Sequence, residues 1–194
     1  KIYRSQITRP SAHLIFIEEP EAHLHPQMQE VFINQLNAVI QKLSSTYPAE
    51  DVWNVQFIIT THSSHVANAA CFDAVRYFYN QKDAVKSIRN TKVKDFKKGM
   101  QTISAADKEF LHKYMTLTKC DLYFADKVII VEGTTERLLM PRLRELVDIS
   151  LPEHQKLASQ YVTCVEAGGA HAHLFYPLLD FLELKTLVVT DLDS

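Results

Sequence analysis

The sequence predicts an α/β fold in which parallel strands alternate with helices. Short apolar runs without polar alternation, such as Leu14–Ile17, Val55–Thr60 and Val128–Val131, fit strands buried on both faces. Between them lie stretches with apolar residues at helical spacing, and several runs end in acidic or hydroxyl-rich turns, where parallel sheets carry their sites. Residues 14–17 form the first strand, bounded by Glu18-Glu19-Pro20. Pro26 suits the first helical position, and Met28, Phe32, Leu36, Val39, Ile40 and Leu43 recur at spacings of three and four, which predicts one amphipathic helix. Ser44–Asn54 reads as a polar loop with Pro48, Val55–Thr60 as a second strand, Ala67–Phe72 as a short helix and Ala74–Tyr79 as a third strand. A basic stretch follows. After it, Phe110, Leu111, Tyr114 and Leu117 predict a helix over Ala105–Lys119 with Ser104 as its cap. Strands over Val128–Val131, Tyr161–Val165 and Thr186–Thr190, with helices over Thr134–Val147 and Leu174–Leu182, complete the alternation.

With 194 residues and 46% apolar composition the chain can bury a substantial core, which excludes a disordered tail. A formal charge of -2 gives no global attraction to nucleic acid or membrane. Locally, Lys82, Lys86, Arg89, Lys92, Lys94, Lys97 and Lys98 face only Asp83 and Asp95, so this stretch is either a polyanion contact or a solvated connector. Three widely spaced cysteines, Cys71, Cys120 and Cys164, support neither a disulfide framework nor a zinc site, and a reducing cytoplasm fits them. No apolar run approaches the roughly 20 residues of a membrane span, so no membrane partner is expected. The start, Lys1-Ile2-Tyr3-Arg4, has no initiator Met and no signal-peptide core, and the chain is expected to be an internal part of a longer protein.

Two acidic clusters carry the chemistry. The first places Glu18 and Glu19 at a strand end, where one carboxylate can steer Mg²⁺ and the next can polarise an attacking water. His62 ends the neighbouring strand in Thr60-Thr61-His62-Ser63, within reach of a γ-phosphate. In the second, Glu132 ends a strand and Glu136 stands about one turn into the next helix, with Gly133 permitting the tight turn between. Asp191 and Asp193 straddle Leu192 and point to a common side. Four gathered carboxylates require neutralisation, which one or two divalent ions supply.

The run Ile17-Glu18-Glu19-Pro20-Glu21-Ala22-His23-Leu24-His25-Pro26, followed by Thr60-Thr61-His62-Ser63, resembles the Walker B, D-loop and switch-histidine portions of ABC-type ATPases of the SMC, RecF and OLD (overcoming lysogenisation defect) branch. The resemblance implies that Glu18 is the magnesium-associated acid, where most such ATPases have Asp, Glu19 the catalytic base and His62 the γ-phosphate sensor. His23 and His25 could be read as zinc ligands, but no third partner is apparent and they fall in the D-loop. No GxxxxGK[ST] phosphate loop and no LSGGQ-like signature occur in the sequence, so the ATP site is incomplete within it. Heads of this type hydrolyse ATP across a dimer interface, which implies a homodimer or higher homo-oligomer.

Glu132 with the Asp191-Leu192-Asp193 motif looks like the Toprim fold of topoisomerases, primases and OLD nucleases. Leu117–Lys127 running into Val128–Gly133, and Glu166-Ala167-Gly168-Gly169-Ala170, resemble OLD proteins in particular. The predicted fold is thus α/β, the C-terminal part of an ABC-type ATPase head followed by a Toprim domain with a Rossmann-like parallel sheet. Its expected divisions are 1–80 for the ATPase part, 81–124 for a basic and helical connector and 125–194 for the Toprim part.

The order of the two implies an ATP-regulated DNA endonuclease with a two-metal Mg²⁺ or Mn²⁺ site, the ions about 3.5–4 Å apart. Glu132, Glu136, Asp191 and Asp193 would be its ligands and Glu19 the ATPase base. His171 and His173 are either phosphate contacts or helix caps. A role in defence against phage, with a defence-system partner protein, rests on family analogy. The alternative is a RecF/SMC-like repair ATPase whose Toprim-like module does not cleave. A primase or topoisomerase piece has no catalytic tyrosine context to support it.

Overall fold

The computed structural model describes residues 12–46, 55–82, 89–118 and 121–191. The chain divides into two compact units between Ala70 and Cys71.

In the first unit, β1 (His13–Glu18) and β2 (Val55–Thr60) pair in parallel, in register from His13 opposite Val55 to Glu18 opposite Thr60. A 3₁₀ turn, Pro20–His23, leads from β1 to α1 (Pro26–Thr46), which packs against α2 (Ser64–Ala69). The sequence places this short helix later, at Ala67–Phe72. It starts at Ser64 because the Ser63 hydroxyl accepts the His65 N–H and caps it. Buried Gln29 fastens α1 to both neighbouring loops: its amide donates to the Leu24 carbonyl at 2.9 Å and its oxygen accepts the Ser63 hydroxyl at 2.5 Å. β1 departs from expectation. Leu14 is 55% and Phe16 70% exposed, since burial of both faces takes a layer on each side and among the described residues none covers this face.

The second unit opens with an antiparallel ribbon, β3 (Arg76–Lys82) against β4 (Arg89–Asp95), followed by α3 (Phe96–Gly99) and α4 (Ala105–Thr118). Then come β5 (Lys127–Val131), α5 (Thr134–Ser150), β6 (Val162–Glu166), α6 (Tyr176–Leu182) and β7 (Lys185–Val189). The last three strands form one parallel sheet in the order β6-β5-β7. Central β5 is the most apolar and is buried from Val128 to Val131, whereas β7, expected to be buried, lies at an edge among the described residues with Leu187 57% exposed.

The ribbon corrects the sequence reading twice. The third strand, expected within a parallel sheet, pairs antiparallel, and its partner β4 lies inside the basic stretch read as a connector. β4 has a single large aliphatic side chain, Val93, so no apolar run announces it. Its lysines hold it in place. Lys94 is buried, donates to the Phe181 carbonyl at 2.6 Å, pairs with Glu183 at 2.8 Å and lies over the Tyr79 ring. Lys92 reaches the same carboxylate at 3.1 Å.

Hydrogen bonds from Lys94, then Lys92, hold the Glu183 carboxyl below its ordinary range. A carboxyl whose folded value is depressed stabilises the protein above its unfolded value, about 4.3, and loses that contribution as pH falls through the folded value. Denaturant unfolding between pH 6 and pH 3 is therefore expected to show an acid-side loss of stability that Lys94→Met flattens.

Past the ribbon, the expected connector becomes core. Phe96, Met100, Leu111 and Met115 are all fully buried, with Phe175, Leu178 and Leu182 from the α6 region. The Phe96 ring sits 4.7 Å from Phe181, 5.7 Å from Phe72 and 5.7 Å from Tyr123. Gly99 allows this packing, because a methyl there would lie 2.0 Å from the Phe181 ring.

Candidate nucleotide and metal sites

In the first unit, the parallel register brings the ends of β1 and β2 side by side. Glu18 is the last residue of β1, exposed and opposite Thr60. Glu19 turns into the left-handed region, φ 42°, a conformation that costs a non-glycine residue about 1–3 kcal/mol and concentrates at functional sites. Its N–H donates to the Thr60 carbonyl at 3.0 Å, which fixes the turn. The Glu19 carboxylate meets His62 Nε2 at 3.0 Å, so the expected base and sensor stand together, both accessible. Glu21, to which the sequence assigns no role of its own, accepts the His62 N–H at 2.6 Å and so ties the histidine's backbone to the β1 side.

In the second unit, Val131 is opposite both Glu166 on β6 and Val189 on β7. Glu132 follows it, and its backbone carbonyl accepts the Gly168 N–H at 3.1 Å while its carboxylate accepts the Asp191 N–H at 3.2 Å. Glu132 and Asp191 are therefore brought together, bridged through backbone. Glu136 turns back to accept the Gly133 N–H at 2.8 Å, the return half of a capping box at the start of α5, glycine having no side chain to make the other half. Gly133 itself has extended φ, -144°, which any residue adopts, so the turn does not need glycine's freedom. Its contribution is room, since a β-carbon there would lie 3.2 Å from the Glu136 carboxylate. Asp193 lies outside the described residues. Among the described residues no three His, Cys, Asp or Glu side chains gather to hold an ion. Glu132 and Asp191 nonetheless offer oxygen donors just past the C-terminal ends of the parallel strands β5 and β7, the donor chemistry of a hard divalent cation.

Around these carboxylates lie Glu166, which the sequence marks only as part of a family-like run, and His171, expected there as a phosphate contact or a helix cap. The Glu166 carboxylate accepts the Thr134 hydroxyl at 2.9 Å and lies 3.8 Å from Arg137, and its backbone carbonyl accepts the Tyr114 hydroxyl. His171 donates from Nδ1 to the Gly168 carbonyl at 2.7 Å, and its ring stacks on Phe110. Gly168 has φ 69°, the left-handed conformation glycine favours, and starts the 3₁₀ turn Gly169–Phe175. Partial burial raises the Cys164 thiol above its ordinary value, which makes it a packing group rather than a nucleophile.

Comparison with known sequences divides the chain as its two sites do. Residues 2–67 match the AAA ATPase domain family, and residues 123–193 match the family described as overcoming lysogenization defect protein-like, TOPRIM domain. Endonuclease GajA of Bacillus cereus (strain HuB5-5) is 35% identical over 190 residues, 93% of this chain and 26% of that protein. The Toprim part of the chain thus matches the OLD-like family, and the chain resembles an endonuclease over nearly its whole length. The Old nuclease of Escherichia phage P2 is 27% identical over 196 residues, 96% of this chain and 28% of that protein. The OLD nuclease of Thermus scotoductus (strain ATCC 700910 / SA-01) is 25% identical over 180 residues, 92% and 30% of the respective lengths. The chain therefore spans under a third of the length of the curated relatives it matches, across the junction between an ATPase domain and a Toprim domain. Among its described residues no helix is long and apolar enough to cross a membrane.

Proposed function

We propose that the protein to which this chain belongs hydrolyses DNA phosphodiester bonds at its Toprim carboxylates, under the control of ATP bound at the ATPase part. The observation that carries the reading is the meeting of Glu132 with Asp191 at adjacent strand ends, in a chain whose other unit sets Glu19 against His62. The names of the relatives, endonuclease and nuclease, support it.

Glu132, Glu136, Asp191 and Asp193 would hold Mg²⁺ or Mn²⁺, with Glu18 the magnesium-associated acid of the ATPase part. A divalent pair bound there makes water a stronger nucleophile and neutralises charge on the leaving oxygen. The Glu132 backbone is held by the Gly168 N–H and one oxygen of its carboxylate by the Asp191 N–H, which orients the side chain towards the end of β7. In the ATPase part Glu19 would take a proton from the attacking water, with His62 beside it to contact the γ-phosphate. The same reading makes the working protein a cytoplasmic homodimer or higher homo-oligomer acting in phage defence, with a defence-system partner protein.

The test is purified full-length protein incubated with supercoiled, linear and single-stranded DNA, with and without Mg²⁺ or Mn²⁺. Cleavage that requires metal is expected, and its absence on all three substrates with both metals would sink the reading. For the ATPase part, Glu19→Gln is expected to lower ATP hydrolysis by about 10²–10³-fold with ATP binding retained, since general-base catalysis contributes on that order. A fluorescent ATP analogue and a phosphate-release assay measure the two separately.

A further inference from the structure

We propose that Glu166 is a positioning residue for the Toprim carboxylates: it holds the first turn of α5, and with it Glu136, in place beside Glu132. The inference rests on the nuclease reading above for what that placement serves.

Glu166 ends β6 directly opposite Val131, the residue before Glu132. From that place it joins three elements. Its carboxylate accepts the Thr134 hydroxyl at 2.9 Å and lies 3.8 Å from the Arg137 guanidinium, so its two attachments to α5 bracket Glu136 within one helical turn. Its backbone carbonyl accepts the Tyr114 hydroxyl from α4. Tyr114 is backed edge-to-face by Phe175, ring centroids 4.7 Å apart, and Phe175 is completely buried. The α4 attachment is therefore anchored in the core of the unit. Its opposite end reaches a helix turn that is otherwise closed by the cap Glu136 makes on Gly133 and by the Arg137 N–H, which donates to the Gly133 carbonyl at 3.2 Å.

That cap sharpens the need for an outside hold. If Glu136 turns its carboxylate towards an ion, the Gly133 N–H loses its acceptor and the turn keeps only its helical bond from Arg137 to the Gly133 carbonyl, so a side-chain hold from outside gains weight. Thr134 and Arg137, held by Glu166, supply it. Carboxylates one layer removed from a metal ordinarily act in this way, orienting the ligands without touching the ion.

The experiment uses the full-length protein and three variants, Glu166→Ala, Glu166→Gln and Tyr114→Phe, with two readouts independent of turnover. Amide hydrogen exchange over residues 133–140 reports the hold on the turn, and Mn²⁺ binding by electron paramagnetic resonance reports its consequence at the carboxylates. Glu166→Ala is expected to speed exchange there and weaken Mn²⁺ binding by about 10-fold, at the lower end of outer-layer effects. Glu166→Gln keeps an oxygen for the Thr134 hydroxyl, so it is expected to stay within about 3-fold of wild type, with Tyr114→Phe between the two. Excess Mn²⁺ restores cleavage to Glu166→Ala but not to a variant lacking a ligand. Unchanged exchange in Glu166→Ala overturns the positioning role, and altered exchange with unchanged Mn²⁺ binding overturns its link to the site. If wild type itself binds no Mn²⁺ and cuts nothing, it is the nuclease reading that falls, and the exchange measurement still decides whether Glu166 holds the turn.

Discussion

Asp191→Ala in the full-length protein is expected to abolish metal-dependent DNA cleavage, by about 10³-fold or more, with ATP hydrolysis left within about twofold of wild type. A charged ligand that neutralises a metal site is worth several kcal/mol in the transition state, and 10³-fold corresponds to about 4 kcal/mol. The structure makes this substitution cleaner than its neighbours. Asp191 is exposed, and the bond that ties it to Glu132 is made by its backbone N–H, which alanine keeps. Only the carboxylate is lost. Glu132→Ala, by contrast, removes a candidate ligand and also leaves the Asp191 N–H without its acceptor. Glu136→Ala likewise removes the cap on Gly133, so a loss of cleavage there would mix chemistry with helix stability. Gel assays on supercoiled DNA, run beside phosphate release, read both activities. Cleavage within tenfold of wild type would exclude Asp191 from the site.

Phe96→Ala is expected to destabilise the second unit by about 3–5 kcal/mol, the cost of removing a large aromatic side chain from a packed interior. Phe96 has no exposed surface and touches aromatic rings from three separate segments, Phe72, Tyr123 and Phe181. Those rings cannot all collapse into one cavity, because each is fixed in its own element. Phe78→Ala on the ribbon, where the side chain is 67% exposed, is expected to change stability by no more than about 0.5 kcal/mol. Urea unfolding of both variants measures the difference, and a Phe96→Ala cost under about 1 kcal/mol would show that the segment packs loosely.

What the sequence made legible follows from how each element announces itself. β5 is four aliphatic residues ahead of Glu132-Gly133, and it lies buried at the centre of its sheet as expected. α1 shows its face at spacings of three and four, and the helix runs from Pro26 as read. β4 carries Lys92 and Lys94 where a buried strand would carry valines, and only the tertiary partner Glu183, far away in sequence, explains them. The open face of β1 could not be read either, because an apolar run specifies that burial is favourable without naming the layer that provides it. In the sites, residue type and strand-end position sufficed for Glu19, His62, Glu132 and Asp191 to be picked out and found in pairs. Glu21, Glu166 and Tyr114 gave no such signal. Their roles lie in hydrogen bonds to partners 41 and 52 positions away, for Glu21 and Tyr114, and 32 positions away for the Glu166 carboxylate.

Among the described residues β7 lies at an edge of its sheet, which bears on how this part of the protein behaves in isolation. An edge strand offers a row of backbone donors and acceptors to any strand that comes alongside, and proteins usually guard such edges with charge, proline or a bulge. β7 carries one such guard, the exposed Lys185 at its start, while Leu187 and Val188 further along stand partly open to solvent. Copies of the Toprim unit prepared alone would therefore be able to extend one another's sheets, and self-association through β7 is the first property to control when that unit is handled apart from its surroundings.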